Sequence, residues 1–222
     1  MSKFSRLLSM YFYLILNMIA RLHYLTQDLD KFSHQELTEA ACNMGIRWVQ
    51  LRVKDKPVDE WLEIAREVKQ ICDYFGATLI INDNVEIAQA IDAHGVHLGK
   101  NDMPVPEARL ILGRDKFIGG TANSMEDVLR LVQQGADYIG LGPYRFTHTK
   151  KNLAPALGME GYAAVLKSLP LDVTIPIIAI GGIQVEDVTP LFHTGIYGVA
   201  VSSAINLSDD KDKIITSFLH LL

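Results

Sequence analysis

Eight short apolar runs alternate with helix-like segments along this chain, and this alternation constrains the fold more than any other feature. Alternating βα units produce parallel strands joined by right-handed crossovers. Eight such units within roughly 200 residues are the number that closes a (β/α)8 barrel. The predicted strands cover residues 22–26, 48–53, 78–81, 95–98, 117–120, 138–142, 175–181 and 198–202.

The segments between these runs show the periodicity and the capping residues of helices. Trp61, Ala65 and Val68 form one apolar stripe within residues 57–74, which is the spacing of an amphipathic helix. No Gly-x-Gly-x-x-Gly follows the first strand, so a doubly wound open sheet is the weaker alternative to a single-domain TIM barrel of the α/β class. The predicted N-caps are Ser33, Asn123 or Ser124, and Asp209, and the predicted helix-ending glycines are Gly45, Gly76, Gly135 and Gly195.

Composition narrows the class of protein. Apolar residues make up 49% of the chain and charged residues 21%, which is the balance of a soluble globular enzyme. The net charge is −5 and no basic stripe stands out, which argues against a nucleic-acid partner. Cys42 and Cys72 lie in helix-like apolar patterns. We expect them to be buried, reduced thiols, and the predicted localisation is therefore cytoplasmic.

Residues 1–18 stand apart from the barrel pattern. Lys3 and Arg6 precede an apolar run, an arrangement that superficially resembles a secretory signal. Asn17 interrupts that run, no small-x-small cleavage site follows it, and the stretch is short for a membrane span. We therefore expect an N-terminal extension or extra helix, or a true start at Met18. The catalytic barrel is predicted over residues 19–222, with no membrane partner.

Basic side chains collect on the second predicted strand. Alternation places Gln50, Arg52 and Lys54 on one side of that strand, at the barrel interior or mouth. Two bases buried together without acids would be costly, so an anionic ligand is their natural partner. The alternative is that they are solvated charges at the rim.

Two carboxylates follow the next two strands. Asp83 comes directly after the third strand beside Asn82, and Asp102 follows the fourth. Because ligands bind at the carboxyl ends of parallel strands, both carboxylates are expected at one site. Oxygen ligands of this kind suit Mg²⁺ bound to a diphosphate. His97 is predicted to line the pocket rather than to ligate the metal.

The later loops predict a second anion site. Thr147, Thr149 and Lys150 lie in a long polar loop after the sixth strand, which is typical either of an anion-binding lid or of a solvated basic loop. Glycines and serines after the last two strands suit a phosphate held by backbone N–H groups. No nucleophile–base pair and no Cys/His metal cluster is evident in the sequence. The predicted phosphate-binding residues are Gly182, Ser202 and Ser203.

Taken in order, these motifs resemble those of the thiamine-phosphate synthase family. That family shows Gln-Leu-Arg-x-Lys, Asn-Asp, Gly-Val-His-Leu-Gly-x-x-Asp, Thr-x-Thr-Lys, Ile-Gly-Gly-Ile and a terminal Val-Ser pair, and this chain carries them from about residue 22 to its end. The resemblance implies a transferase that joins 4-amino-2-methyl-5-hydroxymethylpyrimidine diphosphate to a thiazole (carboxylate) phosphate. The products would be thiamine monophosphate and diphosphate. It also implies one Mg²⁺ per subunit and small phosphorylated substrates as partners, and it is compatible with a homo-oligomer.

The resemblance assigns roles by position. Arg52, Lys54 and Lys150 would be the catalytic residues, since they would neutralise the charge that grows on the departing diphosphate. Asp83 and Asp102 would ligate Mg²⁺. The pyrimidine diphosphate would be held by Gln50, Arg52, Lys54, Asn82, Thr121 and Lys150. The thiazole phosphate would be held by Thr147, Thr149, Gly182, Ser202 and Ser203.

Departures from the family pattern leave rival functions to test. The family usually has Gly-x-Ser-x-His where this chain has Thr121 and Asn123, an Arg where it has Asn84, and Phe-Pro where it has Arg145 and Phe146. A related thiazole tautomerase relies on a His at the position of Asn123. A non-catalytic phosphate-binding barrel would not need two carboxylates, and a sugar-phosphate isomerase or aldolase would need a base or Schiff-base Lys.

Overall fold

Eight parallel strands close into one barrel in chain order in the computed structural model, which describes residues 19–146 and 154–222. Each strand pairs with the next along the chain, and the last pairs with the first. The predicted (β/α)8 barrel is confirmed, and the open sheet is excluded. The strands are β1 (Leu22–Leu25), β2 (Trp48–Leu51), β3 (Thr78–Asn82), β4 (Gly95–Leu98), β5 (Phe117–Ala122), β6 (Tyr138–Leu141), β7 (Ile177–Ile180) and β8 (Gly198–Val201).

Helices follow the strands around the outside of the barrel, and a 3₁₀ turn, Val185–Asp187, leads into the seventh of those in the described ranges. None of the helices in residues 19–146 and 154–222 has both the length and the apolar character needed to cross a bilayer. The helices are α1 (His34–Asn43), α2 (Val58–Phe75), α3 (Val85–Ala90), α4 (Val105–Leu112), α5 (Met125–Gln133), α6 (Gly158–Ser168), α7 (Val188–Phe192), α8 (Ser203–Asn206) and α9 (Lys211–Leu221).

Several element boundaries differ from the predicted ones. The seventh strand begins at Ile177 rather than at residue 175, since Pro176 has no N–H to give to a ladder. The second strand ends at Leu51, two residues early, so that the bases after it lie on a loop. The last helix is capped by Asp210, whose Oδ1 accepts the Lys213 N–H at 3.0 Å, and the prediction of Asp209 was wrong.

Hydrophobic side chains pack in two layers, one between the strands and the helices and one inside the barrel. Between strands and helices lies the larger core, which contains Cys42 and Cys72 as free, buried thiols, as expected. Inside the barrel, Trp48 and Tyr138 fill the amino-terminal end from the first positions of β2 and β6. His23 stacks on Trp48 there, with 4.5 Å between the ring centroids. In the described residues, these side chains fill the interior at the amino-terminal end of the barrel.

Candidate active site

The carboxyl ends of the strands surround a cavity of about 580 Å³. This volume lies in the range of small-molecule sites. Asp102 reaches the same region from the loop after β4, where it contacts Asp83. The predicted residues that line the cavity are Gln50, Arg52, Lys54, Asn82, Asp83, His97, Thr121, Gly182, Ser202 and Ser203. The predicted residues Thr147, Thr149 and Lys150, and the predicted extension 1–18, lie outside the described residues.

Lys54 and Asp83 form an ion pair at the mouth, with 2.5 Å between Nζ and Oδ2. Burial alone would raise the pKa of Asp83, but the hydrogen bond and charge of Lys54 outweigh it and hold the pKa below its usual value. Arg52 is half-buried beside them. Burial lowers its pKa, which the charges of Asp83 and Asp28 oppose, so the guanidinium stays charged. This side of the mouth therefore carries two fixed positive charges.

Asp83 and Asp102 meet as a hydrogen-bonded pair of carboxyls. Burial, followed by the neighbouring Asp83, raises the pKa of Asp102 above its usual value. Two carboxylates in contact repel unless a proton or a cation lies between them. Their donor set is oxygen only, which fits a hard cation such as Mg²⁺ completed by phosphate oxygens. The described residues contain no larger cluster of His, Cys, Asp and Glu suited to a metal.

His97 belongs to a hydrogen-bonded chain across the barrel. Its Nδ1 lies 3.2 Å from the Tyr138 hydroxyl, and its Nε2 lies 3.1 Å from Thr121 Oγ1. The Gln50 side chain also hydrogen-bonds Tyr138. The imidazole has room because the adjacent strands carry glycine: a Cβ on Gly119 would lie 2.6 Å from His97 Nδ1. These hydrogen bonds orient the polar side chains of Gln50, His97 and Thr121, from three different strands, into the cavity.

The opposite side of the cavity is formed by the ends of β7 and β8. Gly181 and Gly182 both have positive φ, at 104° and 69°, and face the cavity. Ser202 accepts a hydrogen bond at 3.1 Å from the amide of Asn206, a buried residue that also donates to the Leu25 carbonyl at 3.0 Å. The contacts of Asn206 hold the Ser202 hydroxyl without placing a charge beside it.

Sequence reasoning missed the contribution of the loop after β1. Gln27 and Asp28 line the cavity, and Asp28 Oδ2 accepts the backbone N–H of Lys54 at 3.2 Å. The other carboxylate oxygen of Asp28 contacts His34, with 3.1 Å between His34 Nε2 and Asp28 Oδ1. The signal available was the position of these residues directly after the first strand, since every strand end contributes to the mouth of such a barrel.

Fold and site together define a class: a TIM barrel whose mouth carries paired carboxylates and bases on one side and a glycine–serine backbone on the other. Both sides suit phosphorylated ligands.

Comparison with known proteins identifies the family. The family model described as thiamine monophosphate synthase matches residues 23–205. The chain is similar to the thiamine-phosphate synthase of Phocaeicola vulgatus, with 47% identity over 190 residues, 85% of this chain and 91% of that protein. It is 44% identical over 199 residues to that of Flavobacterium johnsoniae, covering 89% and 94% of the two chains. The solved thiamine phosphate pyrophosphorylase from Pyrococcus furiosus aligns with a TM-score of 0.79 at 31% identity, covering 90% of this chain and 94% of that one. The chain belongs to the thiamine monophosphate synthase family.

Proposed function

We propose that this protein catalyses the synthesis of thiamine monophosphate from a pyrimidine diphosphate and a thiazole (carboxylate) phosphate. The observation that carries the proposal is that one cavity combines a charged side, suited to a diphosphate, with an uncharged glycine–serine side, suited to a monophosphate. Membership of the family supports the same activity. The partners are therefore small phosphorylated molecules, and the cytoplasmic localisation and a homo-oligomer remain predictions.

The diphosphate would lie against Arg52 and Lys54, and Asp83 and Asp102 would hold one Mg²⁺. Bound Mg²⁺ supplies positive charge to the diphosphate oxygens. The two bases contribute further fixed charge of the same sign, in a half-buried setting where its effect is stronger than in water. Asn82 is buried at the end of β3, where it would orient the pyrimidine side of the ligand.

In the proposed reaction the bond between the pyrimidine methylene carbon and the diphosphate oxygen breaks, and the diphosphate leaves with the electron pair. A bond then forms between that carbon and the thiazole nitrogen; a carboxylate carried by the thiazole leaves as CO2, and a proton replaces it on the ring carbon. Arg52 and Lys54, with Lys150, would stabilise the charge that develops on the diphosphate. Gln50, Thr121 and the polar chain through His97 would orient the pyrimidine ring. This chemistry needs no protein nucleophile.

The thiazole phosphate would be bound by Gly182, Ser202 and Ser203, with Thr147 and Thr149 completing the site. Holding the two substrates against each other in one cavity removes much of the entropic barrier to their coupling.

The tautomerase alternative is weaker for a physical reason. Asn123 stands where that activity relies on a His, and its amide donates a hydrogen bond to the Gly142 carbonyl. An amide side chain cannot take up a proton at neutral pH. The position therefore offers no general base.

The test is a coupling assay with purified protein, Mg²⁺ and both phosphorylated precursors. We expect thiamine monophosphate and diphosphate to form in equal amounts, measured by chromatography and by phosphate release after pyrophosphatase treatment. Interconversion of thiazole tautomers without any coupled product would overturn the proposal.

A further inference from the structure

One arginine, Arg145, is hydrogen-bonded to the loop between β7 and the 3₁₀ turn. The Arg145 guanidinium donates from Nη1 to the Gly182 carbonyl at 2.9 Å, and the Arg145 backbone N–H donates to the Gly181 carbonyl at 3.0 Å. Gly181, Gly182 and Ile183 line the cavity, and Arg145 is not among the lining residues. Arg145 therefore holds this segment, the glycine loop (Gly181 and Gly182), without lining the cavity itself.

These two hydrogen bonds determine where the N–H groups of the loop point. In a planar trans peptide, the N–H points opposite to the C=O. Since both glycine carbonyls face Arg145, the N–H groups of Gly182 and Ile183 face away from it, and both of these residues line the cavity. Consecutive N–H groups on one side form a concave site for an anion. The conformation requires glycine, because Gly182 has φ of 69° and a Cβ there would lie 2.5 Å from Arg145 Cγ.

Arg145 is itself held in a fixed orientation. Its two terminal nitrogens each lie 2.7 Å from a carboxylate oxygen of Asp187, a buried residue of the 3₁₀ turn. Asp187 also accepts the Gln184 N–H at 2.7 Å. The Tyr144 ring lies under the guanidinium, with 4.8 Å between Arg145 Cζ and the ring centroid. A bidentate contact and a stacked ring fix a planar guanidinium in a way that a lysine cannot reproduce.

We propose that Arg145, oriented by Asp187, is a positioning residue that holds the glycine loop in the conformation that binds the phosphate of the thiazole substrate. Arg145 does not touch the phosphate. It acts by fixing two peptide planes in advance, which lowers the entropic cost of binding. The identity of the ligand rests on the proposed function, whereas the effect on phosphate binding can be measured separately.

A matched control exists at the other end of the barrel. Arg109 also pairs with an aspartate, Asp137, at 2.6 Å, and also donates to a loop carbonyl, that of Gly113, at 3.1 Å. Asp137 precedes β6, so this pair lies at the amino-terminal end, away from the cavity. Arg145→Met and Arg109→Met thus each remove an aspartate pair and a hydrogen bond to a loop carbonyl, and they differ in their distance from the site.

The experiment measures both Michaelis constants and the melting temperature of the two variants. We expect Arg145→Met to raise the KM for the thiazole phosphate at least about tenfold, which corresponds to 1.4 kcal/mol, and to leave the KM for the pyrimidine diphosphate within about twofold. Arg109→Met should lower only the melting temperature. Arg145→Lys should resemble Arg145→Met, and it carries the test if the methionine variant does not fold.

Calorimetry with the thiazole phosphate separates this proposal from the proposed function, because it needs no turnover. Weaker binding by Arg145→Met in a protein that forms no thiamine phosphate would leave the positioning role intact and refute the activity. Equal affinity in the wild type and Arg145→Met, equal loss for both substrates, or the same loss in Arg109→Met would overturn the positioning role.

Discussion

The two sides of the cavity differ in the kind of group that they present to a ligand. The side formed by β2, β3 and the loop after β4 uses ionised side chains, namely Arg52, Lys54, Asp83 and Asp102. The side formed by β7 and β8 uses peptide N–H groups and hydroxyls held by contacts from outside the cavity. The charged side therefore depends on which residues are present. The uncharged side depends on how the backbone is held.

The strongest test of this difference is the removal of one carboxylate. Asp83→Asn should reduce turnover by about 10²–10³-fold, because it removes a proposed cation ligand while keeping the size of the side chain. Asp92→Asn is the control: Asp92 shares the left-handed backbone, with φ of 52° against 68° at Asp83, and pairs with Lys116 away from the cavity. Steady-state kinetics should show normal activity for the control. Similar losses in both variants would point to the backbone rather than to the metal.

Removal of the cation should weaken ligand binding on the charged side and leave binding on the uncharged side unchanged. With excess EDTA, calorimetry should show inorganic diphosphate binding at least about tenfold more weakly than with Mg²⁺, since the carboxylate pair then repels the anion. Binding of the thiazole phosphate should change by less than about twofold. Equal weakening of both ligands would mean that the two sides do not differ in their dependence on a cation.

A methyl group on the glycine loop tests the uncharged side. Gly182→Ala should raise the KM for the thiazole phosphate roughly tenfold, because the added Cβ displaces Arg145 and strains the backbone by about 1–2 kcal/mol. Gly76→Ala carries the same strain, with φ of 61°, but its Cβ would meet no atom within 4 Å. Thermal melts should show destabilisation in both variants, larger in Gly182→Ala because of the clash with Arg145. An unchanged KM in Gly182→Ala would remove the glycine loop from the site.

The smallest expected effect lies deep in the barrel, at a β6 residue that is hydrogen-bonded to side chains of β2 and β4. Tyr138→Phe deletes a hydroxyl bonded to His97 and Gln50, and should cost roughly 1–2 kcal/mol of stability because it removes two buried hydrogen bonds. The KM for the pyrimidine diphosphate should rise about fivefold, and the KM for the thiazole phosphate should not change. Kinetics with each substrate varied in turn will show whether the ring is oriented through this chain.

The sequence predicts the charged side better than the uncharged one, for a physical reason. Asp83 and Lys54 are conspicuous because an ionised residue beside an apolar strand has few structural explanations. The contact between Arg145 and Asp187 joins positions 42 residues apart, and nothing in the local pattern of either predicts it. The barrel itself follows from alternation, whereas the ends of strands depend on ladder hydrogen bonds that local propensity does not determine.

The stability of the folded barrel depends on pH through His23. Burial, reinforced by the charge of His97 and only partly opposed by the Ala20 carbonyl, lowers the pKa of His23 from 6.5 to about 3. Between these values the unfolded chain binds a proton that the folded barrel does not, so stability falls as the pH falls, by about 1.4 kcal/mol per pH unit. Urea unfolding at pH 7 and pH 5 should show this loss, and His23→Phe should reduce it. An imidazole outside the cavity lining thus contributes to the loss of barrel stability at low pH.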